Sequence, residues 1–471
     1  MRCLLGYHGR AVIRILGSSR RHGILFGGFV ALYLLLFTIA SFEQLSSRKV
    51  PTSDAGEYVN LGYNLAKNGA FSLAGAPRNE GRYAPSVNRP PGYPAFLAFG
   101  MWLSGDPLTL EHEALFTPEA IPRLRPVRMV QCLLLLATSA LAFLIVRKLT
   151  GNLILAGICM VLVGLDSSLQ SMNRVFLSEQ LGTFLFTLLT LFIVEISRGG
   201  RLVHFAAAGL SLAFLALTRA AFYHFWAPLL ALYLGWQWRK AFDWKRILRT
   251  SGVFLLCFFV PAWAWMARNL HHFDRFIITE GGGLVLKIRA GMNMMTAREY
   301  LASFLYWSES EYLAGELLPA AFGPGAATRV AGFDPESFFW QAVNRRKELR
   351  RVEVRTAAAD KILFREARAE ILRHPVRHLL ATIPLSFRGM KVERDLGKSM
   401  FLWLGLAAAL GLAWRQGRAQ EMAALCPAAI SFGLHALLTH NIPRYNMILI
   451  PVLWISLVLI LSRIAGSLPR Q

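Results

Sequence analysis

Two carboxylates stand close together in the segment SDAGEYVNLGYN, shortly after the first long apolar run of the chain. They are Asp54 and Glu57. If Asp54 caps a helix, Glu57 lies at the third helical position and can complete a capping box. A carboxylate at that place can also act as a general base toward a hydroxyl group, which contributes about 10²–10⁴-fold to a rate. This stretch alone leaves both roles open.

Four arginines and a further carboxylate follow between later apolar runs. They are Arg89 before a Pro-Pro pair, Glu179 in FLSEQL, Arg219 in a tight turn, Arg268 at the start of a long polar segment, and Arg444 in IPRYN. Guanidinium groups bind phosphate through several charge-assisted hydrogen bonds and tolerate a low dielectric better than ammonium groups do. The pattern therefore predicts a site for a lipid-borne phosphate or diphosphate. The alternative is that these arginines only reach toward lipid headgroups.

Glu179 stands at the start of an apolar run, where an unpaired carboxylate is costly. Arg174 lies five residues earlier and is a candidate partner. Glu179 either orients a substrate or caps the helix that it opens.

The composition identifies the class of protein to which these residues belong. Of 471 residues, 55% are hydrophobic and only 17% are charged. The apolar residues form continuous blocks of about 16 to 20, which is typical of membrane-spanning helices and not of alternating β-barrel strands. We therefore expect an all-α polytopic membrane protein. The net charge of +23 does not indicate nucleic-acid binding, because the basic residues sit in short segments between apolar blocks and no nucleic-acid motif accompanies them.

The positions of the basic clusters predict the orientation of the chain. Five arginines precede the first apolar run, so the N-terminus should be cytoplasmic, and with ten crossings the C-terminus should be cytoplasmic too. Small residues near Ala40 leave a cleaved signal peptide as an alternative. About 10 crossings are expected, with 10–12 as the range; the ten are 23–41, 127–146, 153–169, 178–196, 203–218, 221–236, 250–267, 399–414, 420–438 and 445–462. The external loops are then 42–126 and 268–398, with shorter external turns around 171–177, at Arg219 and around 440–444. This arrangement places the carboxylates and arginines on one face.

Two apolar stretches of the external loops, 91–103 and 378–390, are too short to cross about 30 Å of hydrocarbon at 1.5 Å per residue. We expect interfacial helices there, one in each external loop. In the first loop, Tyr58, Leu61 and Leu65 would form an apolar stripe that lies on the membrane surface, and Tyr58 would serve as a packing anchor.

Metal and cofactor binding are weakly indicated. His271, His272 and His440 are compatible with a divalent metal, but no acidic ligand accompanies them at helical spacing. The five cysteines show no paired spacing in polar loops, so neither a disulfide framework nor a zinc site is expected. No cofactor is predicted.

Six fragments follow one another along the chain in a recognisable order. They are SDAGEYVNLGYNLAKNGAFS, NRPPGYPAFLA, FLSEQL, WMARNLHHFDRFIITEGGGLVL, ILRHPVRHLL and IPRYNMILIPVLW. Their order resembles that of the GT-C-type membrane glycosyltransferases. More narrowly, the chain resembles the bacterial branch related to protein O-mannosyltransferases and the lipid A aminoarabinose transferase, over about residues 20 to 463.

The resemblance implies a GT-C-like fold and a transferase that uses a polyprenyl-phosphate-linked sugar. It implies that Asp54, followed four residues later by Tyr58, is the catalytic carboxylate, and that Arg89 contacts the donor phosphate. Glu179 corresponds to the acidic residue that opens a crossing, and Arg444 with Tyr445 corresponds to the Arg-Tyr pair before the last crossing. Many relatives have adjacent Asp and Glu, whereas Ala55 follows Asp54 here, so the role of Glu57 is not assigned by the resemblance.

The expected organisation is one glycosyltransferase-like transmembrane domain, residues 1–463, with a short cytoplasmic tail, 464–471, and no separate acceptor-binding domain. Its partners would be the lipid-linked donor, membrane lipids and a lipid, glycan or protein acceptor. The expected location is a bacterial inner membrane with a periplasmic active site.

Two other classes of function are compatible with the chain. A transporter or flippase for a lipid-linked or anionic envelope precursor is disfavoured, because such proteins place broken polar segments at mid-membrane in matching halves, and no halves match here. A non-catalytic partner in an envelope assembly is hardly addressed by the sequence.

Overall fold

The computed structural model describes residues 27–77, 81–238, 243–332, 334–351, 356–393 and 395–467. Within these ranges the chain forms helices and no strands, which confirms the all-helical prediction. The N-terminal arginines used to predict orientation lie outside the described residues.

Within the described part of the chain, seven helices are long and apolar enough to cross a membrane. Continuous helices satisfy every backbone polar group internally, as the hydrocarbon region requires. They are Gly27–Leu45, Arg125–Thr150, Glu179–Ser197, Trp244–Phe273, Leu396–Arg415, Ala419–Leu438 and Pro443–Gly466. Each coincides with one of the ten predicted crossings.

The other three predicted crossings are helical but shorter. They form Leu153–Gly164 with Ser167–Met172, Leu202–Thr218, and a 3-10 turn Ala220–Phe225 followed by Trp226–Trp238. The first is divided because the Asp166 carboxylate accepts hydrogen bonds from the backbone N–H groups of Ser168 and Leu169 and so caps a new helix.

The polar segments between the spans carry helices of their own. These are Ser53–Asn68, Gly92–Ser104, Gly282–Gly291, Ala297–Trp307, Phe338–Arg351, Thr356–Arg373 and Pro375–Met390. Gly92–Ser104 and Pro375–Met390 correspond to the two predicted interfacial helices. Both expose large apolar side chains, such as Trp102 and Leu379, as a helix lying on a membrane surface would.

Two details of the helix Ser53–Asn68 differ from the sequence prediction. Thr52, not Asp54, occupies the N-cap, and Asp54 lies in the first helical turn, so the predicted capping box is wrong. Tyr58 and Leu61 are buried and Leu65 is half-buried, so this stripe does not face the membrane as predicted. The reason is the helix Gly92–Ser104, which packs so closely that a Cβ on Gly62 would lie 2.9 Å from the Leu97 Cβ.

The apolar side chains form separate cores. One lies within the bundle, a second joins the helices Ser53–Asn68 and Gly92–Ser104, and a third lies within the long segment between the spans Trp244–Phe273 and Leu396–Arg415. The third core includes Ile288, Met292, Trp307, Phe338 and Leu385. The buried apolar side chains of this segment therefore form a core with one another, and the helix Pro375–Met390 also packs against the span Ala419–Leu438.

Candidate active site

Asp54 lies between two guanidinium groups that come from distant parts of the chain. Its Oδ1 is 2.5 Å from Nη2 of Arg89, and its Oδ2 is 2.9 Å from Nη2 of Arg444. The first turn of helix Ser53–Asn68 positions the carboxylate, and the Pro-Pro segment after Arg89 positions the first guanidinium. The Asp54 side chain is 36% exposed, so one side of it remains open to a ligand.

Glu57 holds Arg89 from the other side. Its Oε2 accepts a hydrogen bond from Nε of Arg89 at 2.7 Å. Arg89 therefore bridges the two carboxylates that the sequence places three residues apart. Glu57 acts on the site through Arg89; its described ion pair is with Arg89 and not with Arg444, the second partner of Asp54.

Glu179 is almost completely buried, with 1% of its side chain exposed. Its Oε1 lies 2.9 Å from Nη1 of Arg219 and 2.9 Å from Nε of Arg444. These two arginines are its partners in place of the predicted Arg174. Neither oxygen of the Glu179 carboxylate accepts a hydrogen bond of good geometry. The two ion pairs therefore balance the charge of Glu179, while its oxygens remain available to accept hydrogen bonds.

Arg444 connects the two halves of the site, since it contacts both Asp54 and Glu179. Three carboxylates and three arginines thus form one chain: Glu57, Arg89, Asp54, Arg444, Glu179 and Arg219. Their formal charges cancel. This balance explains why partly buried ionic groups can be held together at the end of an apolar bundle.

The arginines control the ionisation of Asp54. Burial alone would raise the pKa of the Asp54 carboxyl, but Arg89 and Arg444 outweigh burial and hold this pKa below its ordinary value. Burial likewise opposes the charge of Arg89, but Asp54 above all raises the pKa of that guanidinium. Asp54 is therefore ionised near neutral pH.

The two predicted tyrosines line this cluster. Tyr58 packs edge-to-face on Tyr93 with 5.0 Å between ring centroids, and the Arg89 guanidinium lies 5.2 Å from the Tyr58 ring centroid. Tyr445 lies 5.9 Å from the Arg219 guanidinium. Their rings shield the ion pairs from part of the solvent and contribute cation–π attraction.

Arg268 is the one predicted phosphate-binding arginine that does not join the cluster. Its Nη1 donates to the carbonyl oxygen of Ser86 at 2.7 Å, and its guanidinium lies 4.8 Å from the Trp265 ring centroid. Ser86 belongs to the segment that leads to Arg89. Two further hydrogen bonds reach this segment, from the Thr279 hydroxyl and the Glu280 backbone N–H to the Val87 carbonyl oxygen. Arg268 therefore braces the segment that presents Arg89.

The histidines do not form a metal cluster. Across the described ranges, no group of three or more His, Cys, Asp or Glu side chains is placed to hold a metal ion. His271 and His272 lie side by side, with 4.9 Å between ring centroids, whereas His440 lies against Tyr445 at the other external turn.

Sequence reasoning missed Arg388, a cation at the edge of the same region. It lies in the last turn of the external helix Pro375–Met390, and its Nη1 donates to the carbonyl oxygen of His440 at 3.1 Å. The available signal was an arginine in the last turn of a largely apolar helix.

Comparisons with known proteins agree with part of this picture. Residues 79–277 match the family model described as dolichyl-phosphate-mannose-protein mannosyltransferase. This match confirms the predicted resemblance to GT-C-type membrane glycosyltransferases. No curated protein sequence matches the chain.

Among the solved structures that match the chain, one is an oligosaccharyltransferase. It is the archaeal oligosaccharyltransferase AglB from Archaeoglobus fulgidus, in complex with an inhibitory peptide and a dolichol-phosphate. The identity is 12% and the TM-score is 0.44, over 93% of this chain and 52% of that chain. The present chain thus spans about half the length of AglB.

Proposed function

We propose that this protein is a glycosyltransferase that moves a sugar from a polyprenyl-phosphate-linked donor to a lipid, glycan or protein acceptor, with Asp54 as general base. The observation that carries the proposal is the position of Asp54. An ionised, partly exposed carboxylate lies between two arginines and within contact of both. The match of residues 79–277 to a family that uses a lipid-phosphate-linked sugar supports the donor class.

Asp54 would remove the proton of the acceptor hydroxyl as that oxygen attacks the anomeric carbon of the donor sugar. The new glycosidic bond forms while the bond between the anomeric carbon and the phosphate oxygen breaks, and the lipid phosphate leaves with the bonding electrons. The proton remains on the Asp54 carboxyl and passes to water before the next cycle.

Arg89 and Arg444 would stabilise the negative charge that builds up on the leaving phosphate. Both arginines are paired with carboxylates, so a donor phosphate competes with Asp54 for their hydrogen bonds. As these bonds move to the phosphate, the pKa of Asp54 rises toward the range in which a carboxylate is an effective base. Glu179 keeps Arg444 and Arg219 in place during this exchange, and Arg268 supports the segment of Arg89.

The proposal includes the arrangement in the membrane. Residues 1–463 form one transferase domain with external loops 42–126 and 268–398, and residues 464–471 are a cytoplasmic tail. Both termini are cytoplasmic, and the site faces the periplasm of a bacterial inner membrane. The support is the distribution of basic residues between the apolar blocks.

The test is the Asp54→Asn variant in purified protein with a labelled polyprenyl-phosphate sugar. We expect sugar transfer to fall by about 10²–10⁴-fold, because the amide cannot accept the proton. Donor binding should persist, because Arg89 and Arg444 remain. The matched control is Asp106→Asn, an exposed aspartate of the same external loop, which should transfer normally. Unchanged turnover by Asp54→Asn removes Asp54 from the mechanism.

A further inference from the structure

A cavity lies between the long external segment and the turn that contains His440, Ile442 and Pro443. Its volume is 650 Å³, which is enough for a sugar of one or two rings. The wall includes Ile442 and Pro443, the two residues directly before Arg444. Because Arg444 contacts Asp54, the cavity and the proposed base are connected through one short turn.

Arg388 lines this cavity, where the more distant carboxylate of Glu309 attracts it. Among the described side chains, no carboxylate lies within salt-bridge distance of its guanidinium, in contrast to Arg89, Arg219 and Arg444. Its recorded contacts are the His440 carbonyl oxygen at 3.1 Å and the Trp307 ring, whose centroid is 5.1 Å away. A guanidinium held in this way presents donors to an anion that enters the cavity.

His440 provides an independent indication of a polar ligand. Its side chain lines the cavity and is 8% exposed, and its Nδ1 has no hydrogen-bond partner. Buried polar atoms in proteins nearly always have a partner. A ligand with a hydroxyl or phosphate oxygen beside Arg388 can supply one.

The rest of the wall is mainly apolar, with four aromatic side chains, and it also includes the carboxylates of Glu309 and Glu311. Tyr306, Trp307, Phe339 and Trp340 all line the cavity. Flat aromatic faces suit the apolar face of a sugar ring, and a few polar groups among them fix its orientation. Glu309 at the same cavity is paired with Lys391, so its negative charge is compensated.

We propose that this cavity binds the acceptor and that the acceptor is a saccharide carrying a phosphate or carboxylate group, which Arg388 holds. The inference rests on the proposed function, because it takes Asp54 as the base that the acceptor hydroxyl must reach. The aromatic faces position the sugar ring, and Arg388 binds its anionic group. Nδ1 of His440 forms a hydrogen bond with an oxygen of the ligand. A free anion without a sugar ring would use only part of this site.

The test measures binding of soluble probes to the full-length protein in nanodiscs without any donor. Glucose 1-phosphate and glucuronate are the anionic saccharides, glucose is the neutral one, and inorganic phosphate is the anion alone. We expect the anionic saccharides to bind at least tenfold more tightly than either glucose or phosphate. Arg388→Gln should remove this preference, whereas Arg377→Gln, an exposed arginine on the same helix, should leave it intact.

Two further variants keep the test decisive. Trp340→Ala should weaken the anionic saccharides and glucose alike, and it is informative even if Arg388→Gln proves unstable by thermal unfolding. Unchanged affinity for glucose 1-phosphate in Trp340→Ala or in folded Arg388→Gln overturns the proposal, as does equal affinity for glucose and its phosphate. Asp54→Asn should bind the probes normally, so loss of transfer and loss of acceptor binding are separately visible.

Discussion

At the scale of single residues, the contacts of Arg444 require an arginine and could not be made by a lysine. Its Nη2 contacts Asp54 and its Nε contacts Glu179, each at 2.9 Å. A lysine ammonium is a single point and cannot present two donors along one planar edge to carboxylates on separate elements. The ion pairs around Glu179 are buried, whereas those around Glu57 are open to water, so the two glutamates should differ sharply in their effect on stability.

We therefore expect Glu179→Gln to lower the free energy of unfolding by about 3–5 kcal/mol, because Arg219 is left as a buried charge without compensation. Glu57 is 40% exposed, so the matched variant Glu57→Gln should cost no more than about 1 kcal/mol. Thermal unfolding in detergent micelles compares the two. Equal losses would contradict the assignment of Glu179 as the buried anchor.

Arg89→Ala should weaken binding of the lipid-phosphate donor by at least about tenfold, because a hydrogen bond to a charged group contributes about 1.5–3 kcal/mol. The same change removes a positive charge from Asp54, so the pKa of Asp54 should rise and the acid limb of kcat/KM should move to higher pH. Arg82→Ala, at an exposed position in the same loop, is the control for both measurements. An unaltered donor affinity would exclude Arg89 as a phosphate ligand.

At the scale of elements, a buried polar cluster joins three parts of the bundle end. Asp166 caps helix Ser167–Met172 and accepts a hydrogen bond from Nε1 of Trp454 at 3.0 Å. Glu393, just before the span Leu396–Arg415, accepts from the Ser168 hydroxyl at 2.7 Å. Lys398 lies 3.4 Å from Asp166 and 3.1 Å from Glu393. One cation thus serves two buried carboxylates.

This cluster makes stability depend on pH. Burial, with the adjacent Asp166, raises the pKa of Glu393 to about 7. A raised carboxyl pKa means that the folded protein binds the proton more tightly than the unfolded chain does, so stability is full at acid pH and falls as the pH rises from about 4.5 to about 7. We expect Glu393→Gln to flatten this part of the thermal-unfolding profile. A profile as steep as that of the parent protein would show that another group is responsible.

The helices could be predicted from apolar runs, but their partners could not. Both short external helices were predicted within a few residues, because length alone separates them from spans. The helix Ser53–Asn68 was also foreseen, yet its apolar stripe was assigned to the membrane surface, since the sequence does not show that Gly92–Ser104 covers it. The break at Asp166 was not predicted, because the residues around it are apolar and indicate one continuous helix. The side-chain hydrogen bonds of Asp166 nevertheless cap a new helix there.

At the scale of the whole molecule, the sequence predicted which carboxylates and arginines would share one end of the bundle, but not how they pair. Orientation by basic clusters is a global rule, and it placed Asp54, Arg89, Glu179, Arg219 and Arg444 on one face. Pairing depends on side-chain geometry over a few ångströms, so Arg174 was named in place of Arg219 and Arg444. Arg268 was placed in the correct region, but its contact is with the Ser86 backbone.

The predicted topology can be tested with single cysteines in a background without the native ones. A cysteine at Asp106, in the first external loop, should react with a membrane-impermeant maleimide in spheroplasts. A cysteine at Arg147, which is also exposed but lies in a predicted cytoplasmic segment, should react only after the membrane is opened. The reverse pattern would invert the proposed orientation.

The separate apolar core of the long external segment has a consequence for how such a protein can diversify. Because Ile288, Phe338 and Leu385 belong to one apolar core within this segment, substitutions among them need not disturb the ion pairs around Asp54. A chimaera that exchanges residues 282–390 for those of a distant relative, and so keeps Arg268, Thr279 and Glu280, would therefore be expected to gain a new acceptor preference while it keeps the proposed sugar donor.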